Sequence, residues 1–201
     1  MKLDPFYLIV GDADWIERLV PLGVRLVQLR AKDLPEPELR AQIRRARDVC
    51  AAHDCQLVVN DYWQMAIEEG CDFVHLGQED MRDADLSAIR AAGLKLGVST
   101  HDDAELETAL AAQPDYVALG PVWPTILKKM KWAPQGLERV ADWKARVAPL
   151  PLVAIGGIKV ELLDGVFSHG ADSAAVVTDI TLNPDPEART REWIAATARW
   201  R

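Results

Sequence analysis

Residues 57–60 read Leu-Val-Val-Asn, residues 152–156 Leu-Val-Ala-Ile-Gly and residues 174–177 Ala-Ala-Val-Val. A strand with one wet face alternates apolar and polar residues. An unbroken apolar run marks a strand covered on both faces, as in a parallel sheet flanked by helices. Working outward from these three runs, the chain yields eight strand candidates: Phe6–Val10, Arg25–Arg30, Gln56–Asn60, Asp72–Leu76, Leu94–Ser99, Asp115–Leu119, Pro151–Ile155 and Ser173–Val177. A helix-compatible stretch follows each. Gly11-Asp12 closes the first run ahead of a helical pattern over Asp14–Leu22, and residues 36–54 carry Leu39, Ile43, Ala46 and Val49 at helical spacing. Eight β-α units predict a closed (β/α)8 TIM barrel, whereas an open doubly wound sheet would usually carry five or six strands. The reading is one α/β domain over residues 1–201, with short connections except for the loop Gly120–Gly136.

Composition narrows the function. The 201 residues are 49% hydrophobic with a net charge of -8, a sequence pI near 5.0 and a mean hydropathy of -0.06. Such a chain buries roughly 70% of its unfolded surface and needs no disulfide or structural metal to fold. The negative balance argues against nucleic acid or an anionic membrane as partner, because both demand a clustered positive surface. A few local cations can still bind an anionic small molecule. Cys50, Cys55 and Cys71 form no C-x-x-C pair and are expected to be buried, reduced thiols. Residues 1–30 lack a basic start followed by an apolar stretch and a cleavage site, and no apolar run nears the ~18 residues of a membrane span. The expectation is a cytoplasmic protein. A homodimer is compatible with the sequence, which does not fix the oligomeric state.

In such a barrel the reactive groups stand at the carboxyl ends of the strands. The second strand exits at Gln28, Arg30 and Lys32, the third at Asn60-Asp61, the fourth at His75, Gly77, Gln78 and Asp80, and the fifth at Ser99. The sixth runs into Thr125 and Lys128, the seventh into Gly156-Gly157, and the eighth into Thr178. Each has a plainer explanation. Asn60-Asp61 could cap the next helix, Asp80 could be a turn residue, Arg30 and Lys32 could be a solvated pair, and two glycines could serve a tight turn. Together they gather cations, carboxylates and neutral donors on one rim, which suits a phosphorylated substrate. Arg and Lys neutralise phosphate oxygens. Asp61 and Asp80 would repel the same phosphates unless they held a hard cation such as Mg2+. The glycines and Thr178 stand where these barrels usually hold phosphate. His75, with an apolar residue on each side, reads as a packed histidine without a catalytic role. His53, His101 and His169 have no paired carboxylate in sequence context and read as structural. Trp15, Trp63, Trp143, Trp193 and Trp200 fit outer-helix packing, while Trp123 and Trp132 fall in the long loop expected over the site.

Six stretches carry a family resemblance: VQLRAK at 27–32, VND at 59–61, VHLGQEDM at 74–81, LGVSTHDDAEL at 96–106, DYVALGPVWPT at 115–125 and VAIGGI at 153–158. In this order the chain resembles the thiamine phosphate synthase family. The resemblance implies that Arg30, Lys32 and Asn60 hold a pyrimidine diphosphate, that Asp61 and Asp80 bind Mg2+, and that Ser99, Lys128 and Gln28 lie against the pyrimidine or its diphosphate. It implies that a thiazole phosphate is held by Thr125, the backbone at Gly157 and the Val177-Thr178 turn. Diphosphate would leave first and the thiazole nitrogen would then attack the pyrimidine-methyl cation, with Arg30, Lys32 and Lys128 as the charge-stabilising groups. The chain departs from the family at Leu127, where many members carry a hydroxyl residue, and the expectation is that Lys129 or Lys131 compensates. Thr178 stands where serine is common.

Three other readings compete. A thiazole tautomerase on the same barrel would carry a histidine in the sixth loop, yet residues 102–168 contain none. A non-catalytic sensor of thiamine intermediates would have lost its metal ligands or its cation pair. A phosphate-binding isomerase needs a titrating acid-base pair at the rim, and the sequence shows no convincing one.

Overall fold

The computed structural model describes residues 1–126 and 131–201. Eight parallel strands pair in chain order and close on themselves: β1 Phe6–Val10, β2 Leu26–Leu29, β3 Gln56–Asn60, β4 Phe73–Leu76, β5 Lys95–Thr100, β6 Tyr116–Leu119, β7 Leu152–Ile155 and β8 Ser173–Val176. Closure is made where Phe6, Tyr7 and Leu8 of β1 pair with Ala174, Ala175 and Val176 of β8. The expected barrel is therefore observed, with strand ends shifted by a residue or so.

Among the described residues the helices are α1 Ala13–Leu19, α2 Glu36–Ala52, α3 Trp63–Glu68, α4 Gln78–Asp83, α5 Leu86–Ala91, α6 Asp103–Ala111, α7 Gly136–Val147, α8 Leu163–Ser168, α9 Thr178–Thr181 and α10 Pro186–Thr197. The helix expected over Asp14–Leu22 is α1 followed by a 3-10 turn, Val20–Leu22, with Pro21 in its first turn and left-handed Gly23 ending it. No helix among the described residues is long and apolar enough to cross a membrane.

Period-two alternation sorts each strand into two layers. Outward residues such as Leu8, Val27, Val59, Val74 and Val117 join the helices in the larger core, where Trp143 and Trp193 are fully buried. Trp15, Trp63 and Trp200 pack on the same core as partly buried side chains, as expected. Inward residues form a second cluster that includes Tyr7, Leu26, Val58, Phe73, Tyr116 and Val153. Gly97 faces this interior for a steric reason: a Cβ there would lie 2.1 Å from the Tyr116 ring.

Candidate active site

The carboxyl ends of the strands open into a cavity of about 590 Å3. Arg30, Lys32, Asn60, Asp61, Asp80, Ser99, Thr125, Gly157, Val177 and Thr178 all line it, so seven strand exits contribute expected residues to one space. Gln28 does not reach it. Two positions earlier on β2, Gln28 is buried and lines a smaller cavity of about 110 Å3 inside the barrel, beneath the first. Leu127, Lys128 and Lys129 lie outside the described residues. Lys131 lines the main cavity.

Asn60 and Asp61 do not cap α3, whose N-cap is Tyr62 and makes no side-chain cap bond. Asp61 instead turns in the left-handed region at φ 66°, a costly conformation for a non-glycine residue that marks a constrained position. Its N–H donates to the His75 carbonyl at 2.9 Å, and its carboxylate pairs with Lys32 Nζ at 3.0 Å. Asp80, in the first turn of α4, meets Asp61 side chain to side chain. Partial burial and then the facing charge of Asp61 raise the Asp80 pKa above the usual carboxylate value, with Lys32 opposing. Although Asp80 remains open to the cavity, the proximity of Asp61 by itself supports that direction. Gly77 gives this carboxylate room, since a Cβ there would lie 3.0 Å from Asp80 Oδ2.

Two carboxylates converging beside a cavity fit a divalent cation. Mg2+ is held by one or two carboxylates completed by substrate phosphates and water. Among the described residues no group of three or more His, Cys, Asp or Glu gathers around a common point. Asn60 adds an unsatisfied donor. Its Nδ2 is buried with no hydrogen-bond partner among the described residues, a costly state that a ligand acceptor would relieve.

The paired glycines have a cause inside the protein. Gly156 and Gly157 adopt φ of 98° and 67°, and a Cβ on Gly157 would lie 2.5 Å from the Pro124 carbonyl oxygen. The chain that approaches them is residues 121–124: Val122 N–H donates to Ile155 O at 2.9 Å and Trp123 N–H to Gly156 O at 3.0 Å. Trp123, expected over the site, packs against the core and is not part of the cavity lining. Trp132 does line the cavity.

Three features were missed in the sequence. His101, read as structural, lines the cavity, bonds Glu105 at 2.6 Å and stacks on Trp132 with ring centroids 4.1 Å apart. The missed signal was Glu105, one helical turn beyond it. His75 is buried as expected, yet it lines both cavities and contacts Ser99 Oγ at 2.8 Å. Burial depresses its pKa to about 4, so the ring is neutral at physiological pH. Tyr7 and Tyr116 join it in a buried series: Gln28 Nε2 to Tyr7 Oη at 2.9 Å, Tyr7 Oη to Tyr116 Oη at 3.0 Å, and Tyr116 Oη to His75 Nδ1 at 2.7 Å. Alternation applied to β1, β2, β4 and β6 would have turned all four residues inward.

A family model described as thiamine monophosphate synthase matches residues 6–180. A Rhizobium etli protein named thiamine-phosphate synthase is 75% identical over 201 residues, covering 100% of this chain and 98% of that one. A Klebsiella pneumoniae protein of the same name is 50% identical over 189 residues, covering 94% and 90%. The structure of a thiamine phosphate pyrophosphorylase from Pyrococcus furiosus superposes with a TM-score of 0.86 at 24% identity, covering 98% of this chain and 96% of that one, and shares the fold. With a family model spanning most of the chain and close relatives matching its whole length, the chain belongs to the thiamine monophosphate synthase family and is a transferase of thiamine biosynthesis.

Proposed function

We propose that the rim joins 4-amino-2-methyl-5-hydroxymethylpyrimidine diphosphate to 4-methyl-5-(2-phosphoethyl)thiazole to give thiamine phosphate and free diphosphate, or to the carboxylated form of that thiazole, in which case CO2 is released as well. The observation that carries this reading is the meeting of Arg30 and Lys32 with Asp61, Asp80 and an Asn60 amide that has no partner among the described residues, all in one cavity. The bond between the pyrimidine methylene carbon and the diphosphate oxygen breaks, and its electron pair leaves with the diphosphate. The lone pair of the thiazole nitrogen then forms the new carbon–nitrogen bond, so no general base is needed. Arg30, Lys32 and Lys128 stabilise the charge that gathers on the leaving group, and Asn60 donates to it. Asp61 and Asp80 would hold Mg2+, which supplies further neutralisation of the diphosphate when bound.

Ser99 meets the pyrimidine from below, and Gln28 stands one layer deeper, bonded to Tyr7. Thr125, the Gly157 backbone and the Val177-Thr178 turn hold the thiazole phosphate, and Lys131 answers the hydroxyl missing at Leu127. Fixing both reactants in contact supplies much of the rate. We read residues 1–201 as one domain working in the cytoplasm, where the three buried free cysteines stay reduced, as a monomer or a homodimer. The test is thiamine phosphate formation with Mg2+ beside the Asp61→Ala and Asp80→Ala variants. We expect metal-dependent product and a loss on the order of 100-fold or more in each variant. A folded wild-type protein that binds both substrates and makes no product overturns the reading.

A further inference from the structure

The hydroxyl of Ser99 sits at the end of the buried series of polar groups that crosses the barrel interior, and the direction of hydrogen bonding along that series is decided at its far end. Gln28 Nε2 can only donate, and it donates to Tyr7 Oη. A tyrosine has one hydroxyl proton. With its oxygen receiving from Gln28, Tyr7 has Tyr116 Oη, 3.0 Å away, for its own proton. Tyr116 then has His75 Nδ1 at 2.7 Å. The imidazole lies between two hydroxyls, with no carboxylate bonded to either nitrogen, so it carries one proton; with Nδ1 accepting, that proton is on Nε2, 2.8 Å from Ser99 Oγ. The opposite direction would leave the Tyr7 proton facing the Gln28 amide hydrogens in a buried interior, an unsatisfied donor.

We infer that Gln28, Tyr7, Tyr116 and His75 form a one-way hydrogen-bond relay of positioning residues that fixes Ser99 as a donor into the cavity. The inference deepens the proposed function and rests on it for the identity of what Ser99 meets. A pyrimidine ring nitrogen is an acceptor, and a preset O–H donor needs no reorganisation when it arrives. Each bond in such a series polarises the next, so a change at the far end is felt at Ser99. Tyr116 also stacks on His75, ring centroids 5.6 Å apart, which holds the imidazole plane.

Two measurements test the relay. In the ligand-free protein with 15N-labelled histidine, His75 should show the Nε2–H tautomer, and Tyr116→Phe should release it from that form; an Nδ1–H tautomer in the wild type overturns the relay whatever the protein catalyses. In the coupling reaction, Tyr7→Phe should lower kcat roughly tenfold with little change in the KM for thiazole phosphate. It should have almost no further effect in a Ser99→Ala background. Multiplying effects of Tyr7→Phe and Ser99→Ala would show that Tyr7 acts only through packing and would overturn the relay. If the wild-type protein makes no product, the proposed reaction fails while the tautomer still decides the relay.

Discussion

The two ends of the barrel use the same acidic residue to opposite effect. At the amino ends of the strands the aspartates are paired off. Asp172 accepts from Leu152 N–H at 2.7 Å and Lys144 Nζ at 2.6 Å. Asp115 accepts from Leu96 N–H at 2.8 Å. Asp4 accepts from Phe6 N–H at 3.0 Å and pairs with Arg201. At the carboxyl ends Asp61, paired with Lys32, and Asp80 face one another, next to an Asn60 amide without a partner among the described residues. The first end uses its charges to hold the strand starts of the protein, and the second brings two carboxylates together beside a cavity. That division agrees with the rule that the amino face of these barrels serves stability and the carboxyl face serves chemistry.

The sharpest probe of where rim character stops is His75, one layer below the cavity mouth. Its folded pKa of about 4 lies below the ordinary imidazole value, so the unfolded chain binds the extra proton. The stability that goes with the neutral ring is complete above about pH 6.5 and is lost as pH falls towards 4, by roughly 3 kcal/mol. The ring resonances of His75 should stay at their neutral position at pH 5.5. A ring already charged there would extend the wet rim into the barrel.

Next in size is Asp172→Ala, which removes a charged acceptor from a strand N–H and a lysine. It should cost about 2 kcal/mol and lower Tm by roughly 4–8 °C, with kcat unchanged. A fall in kcat with Tm unmoved would erase the distinction between the ends.

The smallest effect should come from Asp80→Asn. A raised carboxyl pKa means that the ionised form is the one the fold disfavours, so its cost is present at neutral pH and fades as pH falls through the carboxylate range. In the absence of metal the variant should therefore melt about 1–2 °C higher at neutral pH, a value kept small by solvent screening. The gap should close on acidification. A variant that melts lower at neutral pH would place Asp80 with the satisfied aspartates of the other end.

The strands were legible because a run buried on both faces leaves no position for a polar residue, and Leu57–Val59, Leu152–Ile155 and Ala174–Val176 have none. The rim was legible because a polar residue closing such a run must sit where the strand leaves the sheet, which brought Arg30, Asn60, Asp61, Asp80 and Ser99 into view. Roles inside the barrel were not. Gln28 looked like one more rim residue, yet the pleat turns it inward to Tyr7. His75 looked like packing, yet its two ring nitrogens meet groups from β5 and β6, 24 and 41 residues away. Gly156-Gly157 looked like a ligand cradle, and both line the cavity, but the sequence did not show that Pro121–Pro124 also press on them.

By itself the sequence determined the barrel, the family and the rim on which the polar residues gather, because burial pattern and strand-exit position are local properties of the chain. Only the tertiary structure decided which carboxylates are paired and which are left facing each other, and which hydroxyl meets which imidazole nitrogen. Hydrogen bonds and pKa shifts depend on groups within a few ångströms in space, and closing eight strands into a ring brings residues more than 100 positions apart, such as Tyr7 and Tyr116, to 3.0 Å.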